Sequence, residues 1–370
     1  MSESNLARLS GLGQSVWIDS LSREMLEGGE LKKLMKDDAV TGVTSNPTIF
    51  QKALAEGSRY DKQLKQLLGS ADDPTAIFFA LAEQDVSDAC DLMANVWDNG
   101  AGLRGYVSIE VDPTLAYDTE ATYDQAKQLH AAIDKPNLYV KIPATRPGLP
   151  AIEDMIAAGK SINITLIFSL QRHREVMEAH IRGLERLVAG GGDPRKVASV
   201  ASFFVSRVDT EADKRLDAIG TDAALALRGK LAVANAKLAY QNWQEVYSGE
   251  RWQFLASKGA SKQWCLWAST STKNPDYPDT LYVDSLIGPE TVNTMPLETV
   301  EAFQGHGTVE LTVEQGIDEA QSLMRELEQV GVDVDDVTET LEAEGVQKFD
   351  DSFSELLDGI RAKRGELVKA

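Results

Sequence analysis

Leu138-Tyr139-Val140-Lys141-Ile142-Pro143 decides how this chain reads. Successive side chains of a β-strand point to opposite faces. Leu138, Val140 and Ile142 therefore share an aliphatic face, and Tyr139 and Lys141 share the other. In a barrel of parallel strands the aliphatic face meets the surrounding helices, and Lys141 points inward. An interior ammonium group is expensive unless it is paired or gives up its proton. The segment thus poses a question that the rest of the sequence must answer: what keeps a lysine inside?

Working outward, short strand-like runs alternate with longer helix-like stretches. The strand candidates are Ser15–Asp19, Gly42–Asn46, Tyr106–Val111, Leu138–Pro143, Ser161–Phe168, Val197–Val208, Gln263–Thr270 and Thr280–Leu286. Between them lie Ala151–Ala158, with Ile152, Met155 and Ile156 on one face, and Leu170–Val188, with Val176, Ile181, Leu184 and Leu187. Ala224–Tyr247 reads as one long, alanine-rich helix. Eight strands alternating with helices predict an α/β fold, a (βα)8 TIM barrel. An open doubly wound sheet is the alternative, weakened because no GxGxxG turn follows any of these runs. From Thr312 onward the pattern changes. Phe349, Phe353, Leu356, Leu357 and Ile360 fall on one helical face, and Asp333, Asp335 and Asp336 form an acidic turn before a final pair of helices. This tail reads as a helical cap on the barrel.

The parity test repeats along the chain. Val16 and Ile18 leave Trp17 and Asp19 inside. Val107, Ile109 and Val111 leave Ser108 and Glu110 inside. Ile162, Ile164 and Leu166 leave Asn163 and Thr165 inside, and Ser202, Phe204 and Ser206 share a face. Polar groups near the C-terminal ends of several parallel strands are what a barrel active site requires. Each has an ordinary alternative. Lys141 could be the cation of a buried ion pair with Glu110, Asp19 a strand-end helix cap, and Asn163 a polar core residue. What favours chemistry is convergence at one mouth. A partly desolvated amine can attack a ketone, and the resulting iminium is an electron sink for breaking a neighbouring C–C bond. Two carboxylates on different strands could carry the protons. Arg207, at the end of the sixth run, and Lys273, in the hydroxyl-rich Ser269-Thr270-Ser271-Thr272-Lys273, are phosphate candidates or else surface charges.

Composition narrows the partners. The 370 residues are 43% hydrophobic, enough for a large core, and the formal charge is -21. An acidic surface argues against nucleic acid and membrane surfaces as partners. Cys90 and Cys265 are far apart and form no CxxC pair, and the histidines His130, His173, His180 and His306 show no HExxH pattern. No metal site is predicted, and His173 and His180 are read as solvated or interhelical. No signal peptide and no run of about 18 apolar residues is present, so a cytoplasmic location is the default expectation.

At these residues the sequence closely resembles the transaldolases. The carrying segments are Thr44-Ser45-Asn46-Pro47-Thr48, Ser108-Ile109-Glu110-Val111-Asp112-Pro113, Leu138 to Thr145, Ile162 to Ser169 and Ser202-Phe203-Phe204-Val205-Ser206-Arg207-Val208-Asp209. The resemblance runs from about Ser15 to Gly307. It implies one transaldolase-like domain over residues 1–370, with the barrel at 15–307 and the cap at 312–370. It further implies a cofactor-free transferase of the non-oxidative pentose phosphate pathway. That reaction passes a dihydroxyacetone unit from sedoheptulose 7-phosphate to glyceraldehyde 3-phosphate, giving erythrose 4-phosphate and fructose 6-phosphate. By resemblance Lys141 forms the Schiff base, Asp19 takes the C4 hydroxyl proton, and Glu110 works through a water held with Thr165. Asn46 and Asn163 hold the dihydroxyacetone hydroxyls, Ser202 and Phe204 line the site, and Arg207 grips phosphate. One departure stands out. Family members often carry a short Ala-Ser-x-Arg-Asn element, where this chain has the longer Ala268-Ser269-Thr270-Ser271-Thr272-Lys273-Asn274. Lys273 is matched to that arginine, with either Ser269 or Ser271 as the accompanying hydroxyl. An aldolase releasing free dihydroxyacetone, and a non-catalytic sugar-phosphate binder, are the competing functions. The expected assembly is a monomer or homodimer.

Overall fold

The computed structural model describes residues 4–55, 58–67, 73–100 and 104–367. Among these, eight parallel strands close into a barrel in chain order. They are β1 (Gln14–Ile18), β2 (Val40–Val43), β3 (Tyr106–Glu110), β4 (Leu138–Pro143), β5 (Ile162–Ile167), β6 (Ser199–Phe204), β7 (Trp264–Ala268) and β8 (Thr291–Met295). Closure is made by β1 pairing with β8, from Gln14 opposite Thr291 to Ile18 opposite Met295. The expected (βα)8 barrel is therefore present, and the open sheet is excluded.

Several boundaries differ from the sequence reading. The second strand is Val40–Val43, not Gly42–Asn46. The eighth strand is Thr291–Met295, not Thr280–Leu286, where Leu281–Asp284 forms one helical turn. The sixth strand stops at Phe204, because Val205 turns the chain and Ser206–Ile219 is helical. The alanine-rich stretch is two helices, Asp222–Leu225 and Leu231–Val246, separated where Gly229 adopts a left-handed φ of 68°. The acidic turn lies between the two tail helices, Ile317–Gln329 and the 34-residue Val334–Leu367, rather than before a pair of them. There Asp333 Oδ1 accepts from the Asp335 and Asp336 amides at 3.0 and 3.1 Å, capping the free N–H groups of the long helix.

Inside the barrel the strands stack their side chains in rows. A lower row is aromatic. The rings of Tyr106 and Tyr139 stack with centroids 4.0 Å apart, and Trp17 lies 6.0 Å from Tyr139. Gly42 makes room for this row: a Cβ there would sit 2.5 Å from the Trp17 indole. The aliphatic residues of opposite parity, such as Val107, Ile109, Val140, Ile142, Ile162 and Ile164, are buried under the helices.

Val334–Leu367 crosses the mouth of the barrel. Near its start Arg215 pairs with Asp336 at 2.5 Å and Arg172 with Glu342 at 3.4 Å. Further along, Thr48 and Gln51 of the helix Pro47–Ala55 bond to Ser352 and Glu355, each at 2.8 Å. Phe349, Phe353, Leu356 and Ile360 are buried beneath it, and Leu357 is half-buried. The cap expected from the sequence is thus a helix laid over the strand ends. No described helix is long and apolar enough to cross a membrane.

Candidate active site

Strand register brings the predicted residues together. Glu110 on β3 lies opposite Lys141 on β4, and Lys141 lies opposite Asn163 on β5, so the three form one row directly above the aromatic one. Lys141 Nζ donates to Glu110 Oε2 at 3.1 Å and to the Ser45 carbonyl at 3.0 Å. Both side chains are almost fully enclosed, with 6% and 3% of their surfaces exposed. The Phe349 ring of the terminal helix completes the enclosure, its centroid 5.9 Å from Lys141 Nζ. The ion pair expected as the ordinary alternative therefore exists, but it lies at the edge of a cavity.

That cavity has a volume of about 330 Å³. Asp19, Asn46, Lys141, Thr165, Ser202, Phe204, Arg207 and Lys273 all line it. Glu110 and Asn163 do not; they stand behind the wall. Asn163 is fully buried, its Nδ2 donating to Ser108 Oγ at 3.2 Å and its Oδ1 accepting from Ser202 Oγ at 2.7 Å. Asn46 is partly committed too. Its Oδ1 caps Pro47–Ala55 by accepting from the Ile49 amide at 3.0 Å. Glu110 Oε1 and Thr165 Oγ1 are buried without a protein partner. Thr165 faces inward by the same alternation as Asn163, and the strand geometry breaks just after it: Leu166 has φ 59°, and the β5–β6 register shifts between Ile164 and Ile167.

The electrostatics follow from enclosure. Burial raises the carboxyl of Asp19, while the hydrogen bond from Thr44 Oγ1 at 2.7 Å and the nearby cations Lys141, Arg207 and Lys273 pull it back. Burial also raises Glu110, opposed first by Lys141, with Asp19 reinforcing the rise. Arg207 is lowered by burial and held up by Asp19 and Glu110. Its Nη1 has no protein partner, and its guanidinium lies 5.1 Å from the Phe204 ring. Arg207 sits in the first turn of Ser206–Ile219 rather than at a strand end, so the helix N-terminus adds to the positive field there. Lys273 Nζ donates to Ser271 Oγ at 2.5 Å, whereas Ser269 Oγ is 2.9 Å from Ser206 Oγ. Both serines line the cavity.

Sequence reasoning missed several wall residues. Thr44 lay unremarked inside a quoted motif, and Thr294 belongs to the misplaced eighth strand; their hydroxyls are 2.6 Å apart. Phe349 was read only as core. The exposed Lys52 and Glu298 carried no signal at all. The histidines lie elsewhere: His180 Nδ1 is 2.9 Å from the Tyr247 hydroxyl and His173 Nε2 4.0 Å from Cys265 Sγ, both buried between helices and strands. The interhelical reading of this pair holds, and the solvated one does not.

An amine against a carboxylate, a second carboxylate facing it across a polar cavity, and two further cations in the same wall suit carbonyl chemistry on an anionic substrate. Comparison with known proteins agrees. The Transaldolase/Fructose-6-phosphate aldolase family matches residues 16–360. A protein named transaldolase from Mycolicibacterium paratuberculosis is 51% identical over 367 residues, covering 99% of this chain and 98% of its own. Transaldolases from Parafrankia sp. and Mycobacterium tuberculosis are each 51% identical, over 97% of this chain and 98% and 96% of their own lengths. With the closed barrel carrying the matched motifs at its mouth, this chain belongs to the transaldolase family, a family of transferase enzymes.

Proposed function

We propose that this protein transfers a dihydroxyacetone unit between sugar phosphates through a Schiff base on Lys141, as the non-oxidative pentose phosphate pathway requires. The observation that carries the proposal is Lys141 Nζ, enclosed 3.1 Å from Glu110 at the edge of a cavity that Asp19 also lines. Ketose phosphates such as fructose 6-phosphate or sedoheptulose 7-phosphate are the donors, and an aldose phosphate is the acceptor.

The steps follow from the residues. Lys141 passes a proton to Glu110 and adds to the C2 carbonyl, and loss of water gives the iminium. Glu110 supplies the proton for that water and later withdraws one from the water that hydrolyses or reverses the adduct; a group that burial already inclines to hold a proton suits both directions. The unpartnered Glu110 Oε1 and Thr165 Oγ1 support a water-handling role for this pair. Asp19 takes the C4 hydroxyl proton. The C3–C4 bond then breaks, its electrons moving into the iminium to leave an enamine on Lys141 and a free aldehyde. The acceptor aldehyde reverses these steps. Asn46 and Ser202 face the three-carbon fragment, with Asn163 orienting Ser202 from behind. Phe204 provides an apolar wall. Arg207 and Lys273 hold the phosphate, as a fork and as a point charge. The long relatives named transaldolase favour transfer over release of free dihydroxyacetone.

The test is borohydride reduction in the presence of fructose 6-phosphate, followed by peptide mass spectrometry. A three-carbon adduct on Lys141 is expected. Attachment at another lysine, or no adduct, overturns the mechanism. Steady accumulation of free dihydroxyacetone with erythrose 4-phosphate present as acceptor would make the protein an aldolase instead.

A further inference from the structure

Two carboxylates on Ser206–Ile219 take no part in the chemistry above. Asp209 and Asp213 are four apart, so they lie one above the other on a single helix face. Each accepts from the backbone and from one tyrosine. Asp209 Oδ1 accepts from the Ala232 amide at 2.7 Å and Oδ2 from the Tyr282 hydroxyl at 2.9 Å. Asp213 Oδ1 accepts from the Gly229 amide at 2.8 Å and Oδ2 from the Tyr277 hydroxyl at 2.6 Å. Asp209 is buried, and burial pushes its carboxyl up to about 6.

Tyr277 and Tyr282 both belong to the segment between β7 and β8, and that segment carries Lys273. The helix they are tied to carries Arg207. One cation's support is therefore stitched twice to the other's. A second observation, independent of hydrogen bonds, fixes Tyr277 in place. Gly229 has φ 68°, and a Cβ on it would lie 2.6 Å from Tyr277 Cζ, so the ring sits in a notch that only glycine leaves open. Further along, Asp279 pairs with His306 at 2.7 Å and Asp284 accepts from the Thr308 amide at 3.1 Å, whereas the part nearest Lys273 has local contacts such as Thr272 Oγ1 to the Pro278 carbonyl at 2.9 Å.

We infer that the pairs Asp213–Tyr277 and Asp209–Tyr282 are positioning residues, which hold Lys273 against Arg207 as a two-cation grip for the substrate phosphate. The inference rests on the reading of Arg207 and Lys273 as phosphate ligands. It explains how this chain manages a longer loop ending in lysine. A lysine on a long segment is a flexible point charge, and ordering it on binding would weaken affinity. Anchoring the segment beforehand moves that cost into folding.

Tyr277→Phe tests the inference, because it keeps the ring in its notch and removes only the hydroxyl. Tyr282→Phe is the second variant. Both are compared in the native chain and with Lys273→Met, using fructose 6-phosphate and unphosphorylated fructose as donors and inorganic phosphate as competitive inhibitor. The expected result is a KM for fructose 6-phosphate raised roughly tenfold, the loss of about one hydrogen bond's worth of positioning, with kcat unchanged. Inhibition by phosphate weakens in parallel, kcat/KM for fructose holds, and neither phenylalanine adds anything once Lys273 is methionine. Equal losses on both donors, or losses that add to Lys273→Met, overturn the inference and leave the pairs as plain scaffold. If Lys273→Met itself leaves the KM for fructose 6-phosphate unchanged, the phosphate reading of Lys273 falls, and the positioning role with it.

Discussion

Two rows of side chains, one above the other inside the same barrel, show how little separates scaffold from chemistry. The lower row is Trp17, Tyr106 and Tyr139, packed ring on ring. The upper row is Glu110, Lys141 and Asn163, charged and hydrogen-bonded. Tyr139 and Lys141 are two residues apart on one strand and face the same way. Height along the barrel axis separates them. The lower row is sealed by its neighbours, and burying aromatic area there stabilises the fold. The upper row borders a cavity through Lys141, so its buried amine can meet a substrate.

The comparison breaks most sharply at Lys141. Lys141→Met is expected to lower turnover at least about 10⁴-fold, since the proposed covalent step has no substitute. Stability should fall by at most about 3–5 kcal/mol, the usual cost of removing one partner of a buried pair, and by less if Glu110 takes a proton once alone. A coupled kinetic assay and urea unfolding measure the two effects. A variant that unfolds would return Lys141 to the scaffold row.

Asp19 sharpens the comparison through pH. Asp19→Asn should lower kcat by about 10²–10⁴-fold, the usual worth of a positioned general base. Its effect on stability should have the opposite sign. The native carboxyl is raised above 3.8 in the folded chain, so folding favours its protonated form. Stability therefore falls as pH rises from 3.8 through the folded value, and the deficit is complete above it. The asparagine variant should melt higher than the native protein at pH 7 and no higher near pH 3.5. A lower melting temperature at pH 7 would show that the ionised carboxylate stabilises the fold.

Gly42 tests the lower row. Gly42→Ala places a methyl group 2.5 Å from the Trp17 indole. Overpacking of this kind costs about 1–3 kcal/mol, read from the denaturation midpoint. The activity of each folded molecule should be unchanged. A selective loss of kcat with no loss of stability would mean that the two rows are not separate in function.

Much of this arrangement was legible in the chain, because strand parity is a strict rule. Seven strands were located, four of them by aliphatic residues on the face that meets the helices, and parity brought Asp19, Lys141, Thr165, Ser202 and Phe204 to the cavity wall. The eighth strand escaped because it breaks that pattern. Its outward positions are Thr291 and Asn293, buried polar residues whose oxygens accept from Gln14 Nε2 at 3.0 Å and Thr270 Oγ1 at 2.8 Å. The apolar, β-branched run at Thr280–Leu286 looked better and is a helical turn instead, because Tyr282 and Thr280 spend their polar groups on Asp209 and Asp284. Arg207 was found but misplaced, since nothing local distinguishes the last residue of a strand from the first turn of a helix. Phe349 was seen as apolar and not as part of the site. Periodicity reports which face of a helix is buried and says nothing about what lies beneath it.

That helix also sets an order of events. A chain is synthesised from its N-terminus, and proteins of this size fold through partly structured intermediates. All eight strands precede Val334–Leu367, so the barrel can close before the ring of Phe349 exists to shield Lys141. Until that last long helix is laid across the barrel, Lys141 lacks the Phe349 side of its enclosure.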